Sequence, residues 1–214
     1  MGKDRLAAFS DGVIAIIITI LVLELHVPVF ERGHLLEALL SLGTTFFAFL
    51  ISFVYIGVIW LNHHGVFRHV RYVDQGLHWI NLTILLTCAL LPFPTNILAN
   101  ALREGNAADE HVAAAFYAVI AGLMSAAWLP LFPYLRDHPE LVQPGAETTF
   151  FHAQRLRPWT GVLCYGIAIG VSFWSTPFAL CIFTFMVAFH ALTSEGVRPF
   201  DFLCHAKARR PDKI

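Results

Sequence analysis

Six times along this chain, some twenty residues pass with hardly an ionised side chain among them. That recurrence limits the possible folds more than any other feature. The runs are Leu6–Pro28, Leu36–His63, Gly76–Leu98, His111–Leu135, Trp159–Ser175 and Pro177–Thr193. A helix needs about 20 mainly apolar residues to cross the hydrocarbon of a bilayer. The pattern therefore predicts an all-α membrane protein, a single domain over residues 1–214 with six transmembrane helices. Composition agrees, with 57% hydrophobic and only 14% charged residues. Soluble domains carry about 25% charge, so too few ionised groups remain here to cover a water-facing surface. The last two runs are short and meet at Ser175-Thr176-Pro177. Pro177 suits a first helical turn, where its missing N–H costs nothing. A re-entrant pair is the alternative reading of those two segments.

Basic residues set the orientation. With six spans both termini share one side, and that side holds Lys3, Arg5, Arg68, Arg71, Arg136, Arg155, Arg157, Arg198, Lys207, Arg209, Arg210 and Lys213. Only Arg32 and Arg103 fall opposite. Both termini are expected in the cytoplasm, with the protein multi-pass in the plasma membrane. The start resembles a signal peptide, but Asp11 interrupts it and the run ends in Glu24-Leu25-His26 rather than at a small-residue cleavage site. It is expected to stay attached. The tail Lys207-Ala208-Arg209-Arg210 reads as a solvated stop after a last helix, or as a contact for anionic lipid.

Several functions find no support in the residues. A net charge of −1 implies no nucleic-acid partner. Cys88, Cys164 and Cys181 fall in spans and Cys204 in the tail, so no disulfide framework is expected. Asn81-Leu82-Thr83 fits a glycosylation sequon but lies inside a span. His63, His64, His69 and His78 invite a metal reading. Adjacent histidines on a helix point about 100° apart, however, and no Cys or carboxylate completes a set. With no nucleophile elbow or phosphate-cradling glycine loop, neither an enzyme nor a cofactor is expected.

Polar groups inside spans are the informative exceptions. The first run carries Arg5, Ser10, Asp11, Thr19 and Glu24. On a helical wheel Phe9, Gly12, Val13, Ile20 and Leu23 fall within about 60° of Ile16, whereas Ser10 and Asp11 lie about 120° and 140° away on the two sides. One face is thus a stripe of bulky aliphatics and the other a polar anchor. The stripe could meet lipid or a neighbouring subunit. Trp60, Asn62, His63 and Asn81 are expected at the depth of Arg5 and Asp11, and buried donors and acceptors at one depth satisfy each other. Arg5, Ser10, Asp11, Trp60, His63 and Asn81 are accordingly read as a structural polar network. Pro92 and Pro94 are expected to kink the third helix.

The first helix reads Arg5-x3-Phe9-Ser10-Asp11-Gly12-Val13-x-Ala15-Ile16-x2-Thr19-x-Leu21-x-Leu23-Glu24. This resembles the opening signature of the transmembrane protein 175 family of potassium channels. Trp60, His63, Asn81 and Pro92-Phe93-Pro94-Thr95 are similar to that family's second and third helices. The resemblance covers about the first hundred residues; the last three helices match in number and hydrophobicity alone. It implies a single-repeat subunit of the prokaryotic type, a homotetramer in the lipid bilayer, and a central pore lined by the first helix with potassium as the permeant ion. It further implies that Ile16, Ile20 and Leu23 constrict that pore, with Thr19 as the flanking hydroxyl. The carbonyl filter of ordinary potassium channels is lacking in that family, and no Thr-Val-Gly-Tyr-Gly sequence occurs here. Proton conduction by the same fold and a non-conducting scaffold or sensor are the competing expectations.

Overall fold

The computed structural model describes residues 2–23, 25–26, 28–144 and 154–194. Glu24, Arg198, Cys204 and the basic tail at 207–213 lie outside the described residues. The protein is all-α. Helix α1 spans Lys3–Leu23, and the short α2 spans Leu35–Leu40. The long α3 covers Gly43–Arg68, five residues beyond His63. Next come α4 (Gln75–Ala89), α5 (Pro92–Glu104), α6 (Ala107–Ala126) and α7 (Leu131–Asp137). A 3₁₀ turn at Pro139–Leu141 follows, and α8 (Arg157–Ser172) and α9 (Thr176–Thr193) complete the described chain.

Proline and the capping residues punctuate this order. The third apolar run is divided into α4 and α5 because Pro92 sits in the first turn of α5, where it can donate no hydrogen bond back into α4. Pro158 and Pro177 open α8 and α9 in the same way. Gly105 ends α5 at φ 70°, a left-handed conformation only glycine adopts freely. The next residue, Asn106, caps α6 by accepting from the N–H groups of Ala108 (3.0 Å) and Asp109 (3.4 Å). So α5 and α6 form a tight helical hairpin. Asp74 caps α4 by accepting from Leu77 N–H at 2.9 Å, and the Tyr134 hydroxyl donates to its other oxygen.

Among the described residues five stretches are long and apolar enough to cross a membrane: Lys3–Leu23, Leu35–Arg68, Gln75–Glu104, Ala107–Asp137 and Thr176–Thr193. The 16 residues of α8 are shorter, about 24 Å at 1.5 Å per residue. The core is built around α6, which packs against α8, α5 and α9, while α3 packs on α5 and α9. Small residues allow the closest approach. A methyl group at Gly161 of α8 would collide with the Ser125 side chain of α6, and one at Gly122 would touch Tyr165 Cβ at 3.5 Å. Helix α1 lies at one side, against α3, α4 and α5.

Candidate functional site

Helix α1 has two unlike faces. Leu6, Ser10, Ile14, Ile17 and Leu21 are buried, a spacing of three and four that draws one stripe down the helix. Ile16, Ile20 and Leu23 project from another side, about 80–140° round the helix from Ser10, and are exposed to 59%, 38% and 70%. Phe9 and Thr19 are exposed on the same side. The Thr19 hydroxyl turns back on its own helix, donating to the carbonyls of Ile16 (2.8 Å) and Ala15 (3.1 Å). Beside the stripe lies an open apolar recess lined by Val13, Ile16, Ile17 and Ile20 of α1, with Ala89, Pro92, Phe93 and Asn96 across from them. The break that Pro92 makes between α4 and α5 forms its far wall.

Polar side chains hold the buried face. Asn81 of α4 is the centre of that contact and is fully buried. Its carboxamide nitrogen donates to Ser10 Oγ at 3.0 Å, and its oxygen lies 2.7 Å from His63 Nε2. A carboxamide oxygen only accepts, so in that bond Nε2 carries the proton. The His63 ring is further fixed by stacking on Phe67 at 4.2 Å and by the edge of Trp128 at 6.2 Å. Asp11 lies outside this triad and accepts from the Trp60 indole N–H at 2.9 Å.

The structure thus joins Ser10, Asn81 and His63 in one network and Asp11 with Trp60 in another, both tying α1 to its own subunit. Arg5 enters neither. It is exposed, and six residues from Asp11 places it about 120° round the helix, within about 20° of the Ile16 direction. Lys3 is the terminal cation that docks, donating to the Arg68 carbonyl at the end of α3.

One polar cluster escaped the sequence reading. Ser52 of α3 bonds Thr95 Oγ1 at 2.8 Å and the Tyr117 hydroxyl at 3.0 Å, while Thr95 donates to the Leu91 carbonyl. Its signal was available: a serine, a threonine and a tyrosine well inside apolar runs each need a partner. Among the described residues, no three His, Cys, Asp or Glu side chains come together in a way that could hold a metal ion.

Known proteins resemble this arrangement in sequence and in fold. The family profile described as the endosomal/lysosomal potassium channel TMEM175 matches residues 5–92. A potassium channel of Streptomyces collinus is 37% identical over 91% of this chain and 94% of its own length. One from Chamaesiphon minutus is 34% identical over 90% of this chain and 95% of its own. The mouse endosomal/lysosomal proton channel TMEM175 is 32% identical over 82% of this chain, which spans only 38% of that longer protein. The crystal structure of a lysosomal potassium-selective channel TMEM175 homolog from Chamaesiphon minutus superimposes with a TM-score of 0.78 at 33% identity. That match covers 90% of this chain and 98% of the other.

Proposed function

The chain belongs to the TMEM175 family, and from that premise we propose that it is a potassium-permeable cation channel in which four copies surround a central path. Each copy contributes α1 as one strip of the wall, with Ile16, Ile20 and Leu23 narrowing the path and Thr19 beside them. The observation that carries this reading is the division of α1 into two faces. Its Ser10 is spent inside the subunit on Asn81, which also holds His63, and its Asp11 on Trp60, so an aliphatic stripe flanked by Thr19 is turned away from the bundle. Two relatives that this chain matches along nearly their whole length, those of Streptomyces collinus and Chamaesiphon minutus, bear the name potassium channel, which supports the choice of ion.

A ring of aliphatic side chains narrows a pore and can empty it of water, so that it acts as a hydrophobic gate. An ion passing it sheds part of its hydration. Potassium gives up water more cheaply than sodium, and no dipole cage replaces what is lost. Preference for potassium is therefore modest. Both termini lie in the cytoplasm and the six spans cross the plasma membrane, with α8 crossing where the bilayer thins or yields locally.

Potassium flux into liposomes holding the purified protein tests conduction. Ile16→Asn should hydrate the constriction, raise that flux and reduce the preference over sodium. A wild type without flux leaves a scaffold or sensor; unchanged current and reversal potential in Ile16→Asn place the stripe against lipid. Protons are the competing permeant, favoured by the name that the mouse relative bears. A reversal potential that follows the pH gradient and ignores the potassium gradient would decide for them.

A further inference from the structure

We propose that the groove between α7 and the start of α8 is a binding site for the headgroup of an anionic glycerophospholipid. Three separate elements each bring one guanidinium to this groove: Arg71 from the α3–α4 connection, Arg136 from α7 and Arg155 from the turn before α8. Among the described lining residues three guanidinium groups stand against one carboxylate, Glu140, so that lining carries a net positive charge. Its remaining walls are largely apolar, built from Leu129, Phe132, Leu135, Leu156 and Trp159 among others. Leu156 and Trp159 are 61% and 54% exposed, so an apolar surface continues from the charged cleft toward the outside of the bundle. Tryptophan prefers the level where headgroups meet acyl chains.

The cleft is built rather than incidental. Arg71 is carried on a segment pinned by backbone pairing, its own N–H donating to the Leu141 carbonyl at 2.6 Å and Gln143 N–H donating to the His69 carbonyl at 2.9 Å. An antiparallel bridge joins Val70 to Val142 between them. Arg136 is held by Asp137, which accepts from Nε at 2.8 Å and from one Nη at 3.3 Å. That arrangement leaves three of the five guanidinium N–H groups free to donate. Arg155 is exposed and has no ion pair among the described residues. Guanidinium groups match phosphate oxygens in a planar fork, and a phosphodiester is the anion that also brings chains for the apolar wall. A free phosphate would leave that wall bare, which is why the lipid is the occupant.

The inference does not depend on conduction, so the test reads lipid and not current. The full-length protein is placed in nanodiscs of equal phosphatidylglycerol and phosphatidylcholine, released into detergent, and its retained lipids are counted by native mass spectrometry. Wild type should retain phosphatidylglycerol preferentially. Each arginine replaced by glutamine should lower that preference about fivefold, the worth of one basic residue at a membrane surface. Arg155→Gln is the safest single change, since Arg155 makes no ion pair among the described residues. Arg103→Gln, on the α5 side of the α5–α6 turn, should change nothing. Trp159→Ala should weaken retention of both lipids. Equal retention of the two lipids by wild type would overturn the proposal and leave the groove to protein, whether residues 145–153 or a second copy. So would an unchanged preference in the triple glutamine variant, or full displacement by millimolar inorganic phosphate with no help from acyl chains.

Discussion

Helices α1 and α6 are both long and apolar, yet 28% of an apolar 18-residue stretch of the α1 span is buried inside the subunit, against 61% of the equivalent stretch in the span that contains α6. The difference comes from side-chain size and from where the polar atoms sit. In α6 the inward positions are Ala113, Ala114, Ala115, Ala118 and Ala121, small enough for neighbouring backbones to close on it. Bulky Ile16, Ile20 and Leu23 of α1 point away from the subunit, while Leu6, Ile14, Ile17 and Leu21 pack inward beside Ser10, and Asp11 reaches Trp60 of α3. In lipid, an aliphatic side chain gains little by leaving its surroundings, so apolar character does not predict burial as it does in water. Close packing and buried hydrogen bonds decide instead.

If polar contacts hold α1, breaking the central one should have the largest effect. Asn81→Ala strands His63 Nε2 in the interior while Ser10 keeps its bond to the Leu6 carbonyl, and a stranded buried group costs about 1–3 kcal/mol, so a loss of about 3 kcal/mol is expected in thermal unfolding in detergent once the lost packing is included. A variant as stable as wild type would return α1 to ordinary apolar packing. Gly161→Ala probes the other helix, pressing a methyl group into Ser125 where α8 approaches α6. Overpacking of this kind costs about 1–3 kcal/mol. Gly166→Ala on the same helix meets open space and serves as its control. Asp11→Ala should cost about 1–2 kcal/mol, since it forfeits one charge-assisted bond to a partly exposed indole. This is less than the 3–5 kcal/mol typical of breaking a buried ion pair, because Arg5 does not stand opposite Asp11. Ile16→Asn should move stability by no more than about 0.5 kcal/mol, as exposed positions do, while altering flux. A large loss there would mean that the stripe is packed after all.

The smallest effect lies outside both helices. Burial pushes the Asp74 carboxyl up, but hydrogen bonds from Tyr134 and from Leu77 N–H outweigh it and hold the group below the usual carboxylate range. A depressed carboxylate stabilises above its unfolded pKa and loses that contribution as pH falls through the folded one. The stability gap between wild type and Tyr134→Phe should therefore be full above about pH 5 and narrow below about pH 4. A gap that widens in acid would contradict the assignment.

Apolar run length made the helices legible, and Pro92 made the break between α4 and α5 legible, because both act through local backbone physics. The meeting of Ser10, His63 and Asn81 was foreseeable too, since polar groups in an apolar medium must find one another. Which residue pairs with which was harder to read, because a wheel gives direction but no distance. Trp60 takes Asp11, and no periodicity ranks an indole above a neighbouring histidine as the donor. For Arg5 the information was present and outweighed by its charge: its angle places it with Ile16, not with Asp11. The groove at Arg71, Arg136 and Arg155 depends on three turns converging in space, and sequence carries no measure of that.

The hydroxyl of Thr19 has one proton, and that proton is committed to the carbonyls of Ile16 and Ala15. What remains to show outward is its oxygen lone pairs, the negative end of a small dipole fixed by the helix itself. Such a group can receive but cannot donate. A cation drawing near would find a ligand needing no rearrangement, whereas an anion would find nothing to hold until the bond to the backbone broke. In the proposed pore such a side chain would discriminate by sign of charge before it discriminated by size.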